Sequence, residues 1–331
     1  MQKIAFFEID AWEEEYLRGA LSGYDLFFTK ERLTDNTVSL AKDATVFSSF
    51  IFSTLTKELL SQLPSVKLIA TLSTGYDHID LKYCNEKGIV VSNVPSYGEH
   101  TVAEHTFALI LALSRNLIPS VERTRQGDFS LDGLRGFELY GKTLGVIGEG
   151  KIGKRVITIA RCFGMNVLVF TKTPKTNTEG ITYVSLEELL GGSDIISIHV
   201  PHTSETHHLL NRENIQLCKK GSMLINTARG GVIETQGVLE ALDKGILKGV
   251  GLDVLEEECN LREERELLSE DFFKTCDIKT QLLNHVLLTR KDVIVTPHNA
   301  FNSTESLKEI LDITVDSIKA FLSGKPKNIV S

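Results

Sequence analysis

The sequence predicts an α/β protein made of two doubly wound parallel-sheet domains of Rossmann-like type. Three observations carry this expectation. Short apolar runs of strand length alternate with helix-length segments along the whole chain, and the runs are apolar on both faces, as strands covered by helices on either side must be. A Gly-x-Gly-x-x-Gly sequence lies between one such run and an amphipathic segment. The length of 331 residues suits two domains.

In chain order, residues 3–9, 44–50, 68–73 and 89–94 read as a first set of strands. Residues 101–117 carry small and apolar side chains at helical spacing and read as a helix between the two sets. Residues 126–136 are rich in glycine and aspartate and read as a loop or arm. Strands follow at 143–148, 165–170, 195–200, 222–227, 249–254 and 293–297, with helices at 151–163, 185–190, 211–218 and 234–244. Residues 256–270 are acidic but interspersed with Leu261, Leu267 and Leu268, the pattern of a solvated helix. A last helix over 303–323 is expected to pack back on the first domain.

Composition sets limits on function. With 42% hydrophobic and 24% charged residues the chain is neither disordered, collagenous nor a coiled coil. A net charge of −8 leaves no general basic surface for nucleic acid. No segment approaches the roughly 18 uninterrupted apolar residues of a membrane span, and the first ten residues lack a signal-peptide pattern, so a cytoplasmic protein is expected. The cysteines Cys84, Cys162, Cys218, Cys259 and Cys276 form no C-x-x-C pair and read as free thiols. No metal site is expected: His100 and His105 are one residue too far apart for the i, i+4 face of a zinc helix. His207 and His208 point to different sides of any regular element, His285 stands alone, and Trp12, Tyr16 and Leu17 read as a packed helix face.

The glycine motif is Gly148-Glu149-Gly150-Lys151-Ile152-Gly153. Gly148 permits a tight turn, Gly150 lets the backbone reach a pyrophosphate, and Gly153 lets helix and strand approach; the helix N-terminus then offers N–H groups to the anion. About twenty residues on, an acid is expected to accept from the adenine-ribose hydroxyl of NAD. The chain has Thr171 there, followed by Lys172 and, after Pro174, Lys175. A hydroxyl beside two cations favours the 2′-phosphate of NADPH, or use of both coenzymes.

In open α/β sheets ligands gather at the carboxyl ends of strands. The polar residues expected there are His199, Arg229, Glu258 and His298. Arginine can clamp a carboxylate and polarise the adjacent carbonyl. Histidine can move a proton near neutral pH, and a glutamate beside it would orient it. With a nicotinamide nearby, such parts suit hydride transfer to a 2-keto acid.

The segments 148–153, 199–203, 225–230, 251–258 and 296–300, together with 73–80, resemble the D-isomer-specific 2-hydroxyacid dehydrogenase family in order over nearly the whole chain. The resemblance implies a substrate domain of flavodoxin-like type from residues 1–99 and 299–331, and a dinucleotide-binding domain from 100–298. It implies that Arg229 binds the substrate carboxylate and carbonyl, that His298 is the acid/base, and that Glu258 is its partner. It further implies substrate contacts at Thr74, Gly75 and Tyr97, and coenzyme contacts at Lys151, Ile152, His199, Val200, Pro201, Thr227, Ala228, Asp253, His298 and Ala300. Residues 93–98 with Ala103-Glu104-His105, and the ending His298-Asn299-Ala300-Phe301, are most similar to the D-lactate dehydrogenase branch. Pyruvate is then the favoured substrate and a homodimer the expected assembly, the arm at 127–136 contributing. The alternatives are a glyoxylate or hydroxypyruvate reductase, and a non-catalytic dinucleotide-sensing protein of the same fold.

Overall fold

The computed structural model describes residues 2–176, 180–257 and 277–330. The chain divides into two compact units, Met1–Gly98 with Asn302–Ser331, and Glu99–Phe301.

In the first unit five strands, β1 (Lys3–Phe6), β2 (Asp25–Phe28), β3 (Val46–Ser49), β4 (Leu68–Thr71) and β5 (Val90–Ser92), form one parallel sheet in the order β2-β1-β3-β4-β5. Every residue of β3 and β4 is buried, so the strands show no apolar/polar alternation, and the buried Ser48 hydroxyl is satisfied by the Ala70 carbonyl at 2.7 Å. One face packs Ala5, Phe47, Ile69 and Val91 against Ala41, Leu60, Leu63 and Tyr83. Helices α1 (Ala11–Ala20), α2 (Lys57–Leu60) and α3 (Leu81–Lys87) connect the strands. Asp10 and Glu13 close a capping box that starts α1. Of the face predicted on α1, Leu17 is buried, whereas Trp12 is exposed and the Tyr16 hydroxyl is hydrogen-bonded to Asp312. Asp312 belongs to the C-terminal helix, Thr304–Leu322, which packs on β4 and α1 as expected. The edge strand β2 is absent from the sequence reading because its four residues are exposed or only half-buried and show no alternation.

The second unit holds seven strands: β6 (Thr143–Ile147), β7 (Asn166–Phe170), β8 (Ile181–Tyr183), β9 (Ile195–Ile198), β10 (Ser222–Asn226), β11 (Leu247–Leu252) and β12 (Val293–Val295). They form a parallel sheet in the order β12-β11-β10-β9-β6-β7-β8. The order reverses between β6 and β9, which places the ligand crevice of such a sheet at their carboxyl ends. Helices α4 (Glu99–Ser114) and α6 (Lys151–Cys162) cover one face, with Phe107, Ile110, Val156 and Ala160 on Val146, Val167 and Ile225. Helices α7 (Leu186–Gly192), α8 (Thr235–Asp243) and α9 (Ile278–Thr289) cover the other, with Leu190, Val238 and Leu287 in the cluster that holds Ile147, Ile198 and Val250.

Four local expectations change. The helix predicted over 101–117 ends at Ser114, and α5 (Leu117–Arg125) restarts after Asn116 in the left-handed region, φ 49°. Over 211–218 only a 3₁₀ turn forms, Asn214–Leu217, because the Asn211 side chain accepts the N–H groups of Glu213 and Asn214. The short strand β8 and helix α9 were not foreseen. The boundaries between units fall after Gly98 and after Phe301. Asn299 and Ala300 stay with the second unit because their N–H groups are bound by Asp253. The acidic stretch predicted as a helix from 256 lies, beyond Glu257, outside the described residues. Among the described residues no helix is long and apolar enough to cross a membrane.

Candidate active site

Two glycines of the turn after β6, Gly148 and Gly153, have no substitute. Gly148 has φ 98°, and a Cβ there would stand 2.5 Å from the His199 carbonyl oxygen; one on Gly153 would stand 2.1 Å from that of Gly148. At Gly150, the N-cap of α6, a Cβ would meet nothing within 4 Å, and no side chain caps the helix. The start of α6 is thus uncapped and leaves room beside Gly150, an arrangement that fits a dinucleotide pyrophosphate accepting from the N–H groups of the first turn. The Lys151 ammonium is turned to Glu99, 3.3 Å away, so its backbone rather than its charge is left for an anion.

At the end of β7 Thr171 stands where a ribose-binding acid was sought. The two cations beyond it are each paired: Lys172 with Glu205, and Lys175 with Glu149 Oε1 at 2.7 Å. Glu149 Oε2 also accepts the Tyr183 hydroxyl at 3.2 Å. Glu149 escaped the sequence reading, although it is the one acid inside the glycine motif.

After β9, Val200 Cγ1 would meet a Cβ on Gly148 at 2.7 Å, and the Pro201 carbonyl accepts the Thr206 hydroxyl at 2.5 Å. His199 is hydrogen-bonded to Ser197 Oγ at 2.7 Å. Burial pushes its imidazole down to about 3, so the ring is neutral in the native state. The unfolded ring charges below about pH 6.5, so the unfolded chain binds more protons and stability falls with pH. By about pH 5 this one group is expected to cost about 2 kcal/mol. His78, pushed down to about 4 by burial, acts in the same direction. Urea unfolding at pH 7 and pH 5 should show a smaller acid-induced loss in His199→Asn than in the wild type; equal losses would remove His199 from the account.

The turn after β10 is stapled by Asn226, which is fully buried. Its Oδ1 accepts the Ala228 N–H at 3.0 Å and its Nδ2 donates to the Arg229 carbonyl at 2.9 Å. Thr227 is buried against the Thr106 hydroxyl, 3.0 Å away. Arg229 keeps a partly exposed guanidinium, with Nη1 on the Ala228 carbonyl at 2.8 Å. Behind this turn the His208 N–H donates to the Gly231 carbonyl at 2.9 Å, while its ring pairs with Glu256. His207 does not point away from His208, as expected for a regular element. The two rings stack with centroids 3.9 Å apart, because they lie in a turn and His208 has φ 48°.

Asp253 follows β11 and is almost wholly buried. Its Oδ1 accepts the Thr296 hydroxyl at 2.5 Å and the Asn299 N–H at 3.0 Å, and its Oδ2 accepts the Ala300 N–H at 2.9 Å. One carboxylate thus shapes the turn after β12, in which His298 adopts φ 51°. Asp253, expected as a coenzyme contact, has both oxygens engaged by the protein. Because β10, β11 and β12 are neighbours, Arg229, Asp253 and His298 are brought to the same end of one sheet. Glu258 lies outside the described residues. Among those residues no group of three or more His, Cys, Asp or Glu could hold a metal ion.

In the first unit the loop after β4 is held through its acceptors. Ser73 Oγ donates to the Gly75 carbonyl at 2.6 Å, and Asn93 Nδ2 to the Thr74 carbonyl at 2.8 Å. The Thr74 hydroxyl donates to the Val94 carbonyl at 2.8 Å. The N–H groups of Thr74 and Gly75 donate to nothing among the described residues. Tyr97 is half-buried in the segment after β5. Beyond β3, Phe50 and Phe52 pack edge to face with ring centroids 5.4 Å apart.

Residues 107–300 match the family model described as D-isomer specific 2-hydroxyacid dehydrogenase, NAD binding domain. A 2-hydroxyacid dehydrogenase homolog of Haemophilus influenzae is 37% identical, with 99% of each chain covered. A D-lactate dehydrogenase of Escherichia coli is 34% identical, with 98% of each covered. Among solved structures, D-lactate dehydrogenase from Aquifex aeolicus complexed with NAD and lactic acid superposes with a TM-score of 0.83 at 39% identity, covering 97% of this chain and 96% of that one.

Proposed function

Because the chain belongs to the D-isomer-specific 2-hydroxyacid dehydrogenase family of NAD-dependent oxidoreductases, we propose that it reduces a small 2-keto acid, pyruvate foremost, to the D-2-hydroxy acid. The observation that carries this reading is the placement at the carboxyl ends of β10 to β12 of a guanidinium on a stapled turn after β10, a buried carboxylate after β11, and an imidazole after β12 on the turn that this carboxylate shapes. Arg229 holds the substrate carboxylate in a fork and polarises the carbonyl. His298 gives its proton to the carbonyl oxygen during reduction and takes it back in the reverse direction. The hydride that C2 receives would come from a nicotinamide bound at the glycine loop. Glu258 is the acid we assign to orient His298.

For the coenzyme, Thr171 with Lys172 and Lys175 still favours acceptance of NADPH, since no carboxylate follows β7 to repel a 2′-phosphate. The pairing of both lysines with Glu205 and Glu149 weighs against an exclusive choice, so we assign use of both coenzymes. A cytoplasmic homodimer completes the proposal. Phe129 and Leu131 in the arm are 78% and 82% exposed, an apolar pair that a second copy would cover.

The test is a panel of initial rates with pyruvate, glyoxylate and hydroxypyruvate, each at saturating NADH and NADPH. Pyruvate is expected to give the highest kcat/KM, with both coenzymes active. Preference for glyoxylate or hydroxypyruvate would move the assignment within the family, and coenzyme binding without turnover on any keto acid would sink the enzymatic reading.

A further inference from the structure

His105, on α4, has no part in the chemistry assigned above, yet it faces the clamp that shapes the His298 turn. Its Nε2 lies 3.1 Å from Thr296 Oγ1 and 3.5 Å from Asp253 Oδ1, in a ring that is 21% exposed. The hydrogens at this junction can be assigned by counting donors. Thr296 has one hydroxyl hydrogen and gives it to Asp253 Oδ1 at 2.5 Å. Asp253 Oδ1, the oxygen nearest His105, already accepts that hydroxyl and the Asn299 N–H, and Oδ2 accepts the Ala300 N–H, so Asp253 meets this junction as an acceptor. Neither neighbour can donate to His105, so the hydrogen between them belongs to His105 Nε2.

We propose that His105 is a positioning residue for His298: its Nε2–H ties α4 to the Thr296–Asp253 clamp and fixes the turn that presents the acid/base imidazole. Two features of the turn call for such a tie. His298 has φ 51°, a conformation disfavoured for a residue with a Cβ, which persists only where neighbours over-determine it. Asp253 is a charge buried to 1% exposure, and a carboxylate so placed must be surrounded by donors. Thr296, Asn299 and Ala300 all belong to the turn itself, whereas His105 brings a donor from a helix anchored independently in the core by Phe107 and Ile110. A shift of the turn by a fraction of an ångström would leave fold and coenzyme cradle intact and still misdirect the proton.

The inference rests on the reading of His298 as acid/base, so the experiment includes both residues. His105→Phe, His105→Asn, His105→Gln and His298→Gln would be compared for kcat and KM on the keto acid turned over fastest. NADH dissociation constants by fluorescence and thermal midpoints would be measured on the same samples. His105→Phe is expected to lose kcat by about tenfold to a hundredfold with KM little changed, because an ångström-scale misplacement costs rate rather than fold. NADH affinity should stay within about twofold, since the cradle at α6 is untouched. His105→Asn, too short to reach the clamp, should fall likewise, and His105→Gln, which can present an N–H at similar reach, should recover most of the rate. In wild-type protein, imidazole 15N shifts should show the Nε2-protonated form of His105. Near-wild-type kcat in His105→Phe and His105→Asn, or loss in all three His105 variants in step with their thermal midpoints, would overturn the positioning role. An inactive His298→Gln beside fully active His105 variants would sink this inference alone; a fully active His298→Gln would sink it together with the reading beneath it.

Discussion

Replacing His298 by glutamine is expected to lower kcat for keto-acid reduction by about a hundredfold to ten-thousandfold, the range typical of a lost general acid. The amide can still hydrogen-bond to a carbonyl, but it has no proton to give near neutral pH. The turn should survive the change, because its shape is set by Asp253 through the Thr296 hydroxyl and the N–H groups of Asn299 and Ala300, none of which involves the imidazole. The coenzyme cradle lies at β6 and α6, at the other side of β9 to β11 in the strand order. NADH affinity should therefore hold while kcat collapses. Single-turnover kinetics with preloaded NADH is the cleanest measurement, and a kcat within tenfold of wild type would remove His298 from the chemistry.

Arg229→Gln is expected to lower kcat/KM for the keto acid by about a hundredfold to a thousandfold, because a charged fork to a carboxylate and its developing oxyanion is lost from a partly dehydrated site. Both KM and kcat should suffer, since the guanidinium serves binding and polarisation together. Arg229→Lys should recover little: lysine keeps the charge but lacks the planar pair of donors. Asn226 grips the backbone at Arg229 rather than its side chain, so the turn is expected to persist in both variants. Unchanged kcat/KM in Arg229→Lys would show that charge alone suffices and that no bidentate contact is made.

The parallel strands were legible because burial on both faces favours apolar residues without alternation, as in Leu68-Ile69-Ala70 of β4 and Ile195-Ile196 of β9. The edge strands β2 and β8 were not: each is short and largely unburied, so nothing selects a periodic pattern. The glycine cradle was also legible, since close backbone approach excludes every other side chain at Gly148 and Gly153.

By itself the sequence determined the fold class, the places of the second unit's main strands along the chain, the glycine loop, and the positions of Arg229 and His298 at strand ends, because each depends on local residue type and spacing. Only the tertiary structure decided what surrounds them. The pairing of Lys172 with Glu205 and of Lys175 with Glu149 joins residues 33 and 26 positions apart. The grip of Asp253 on the turn at 296–300, and the approach of His105 across 191 positions to Thr296, follow from strand order and helix packing. Such long-range contacts leave no mark in spacing along the chain; they exist only once the sheet has placed β10, β11 and β12 side by side and α4 has packed across them.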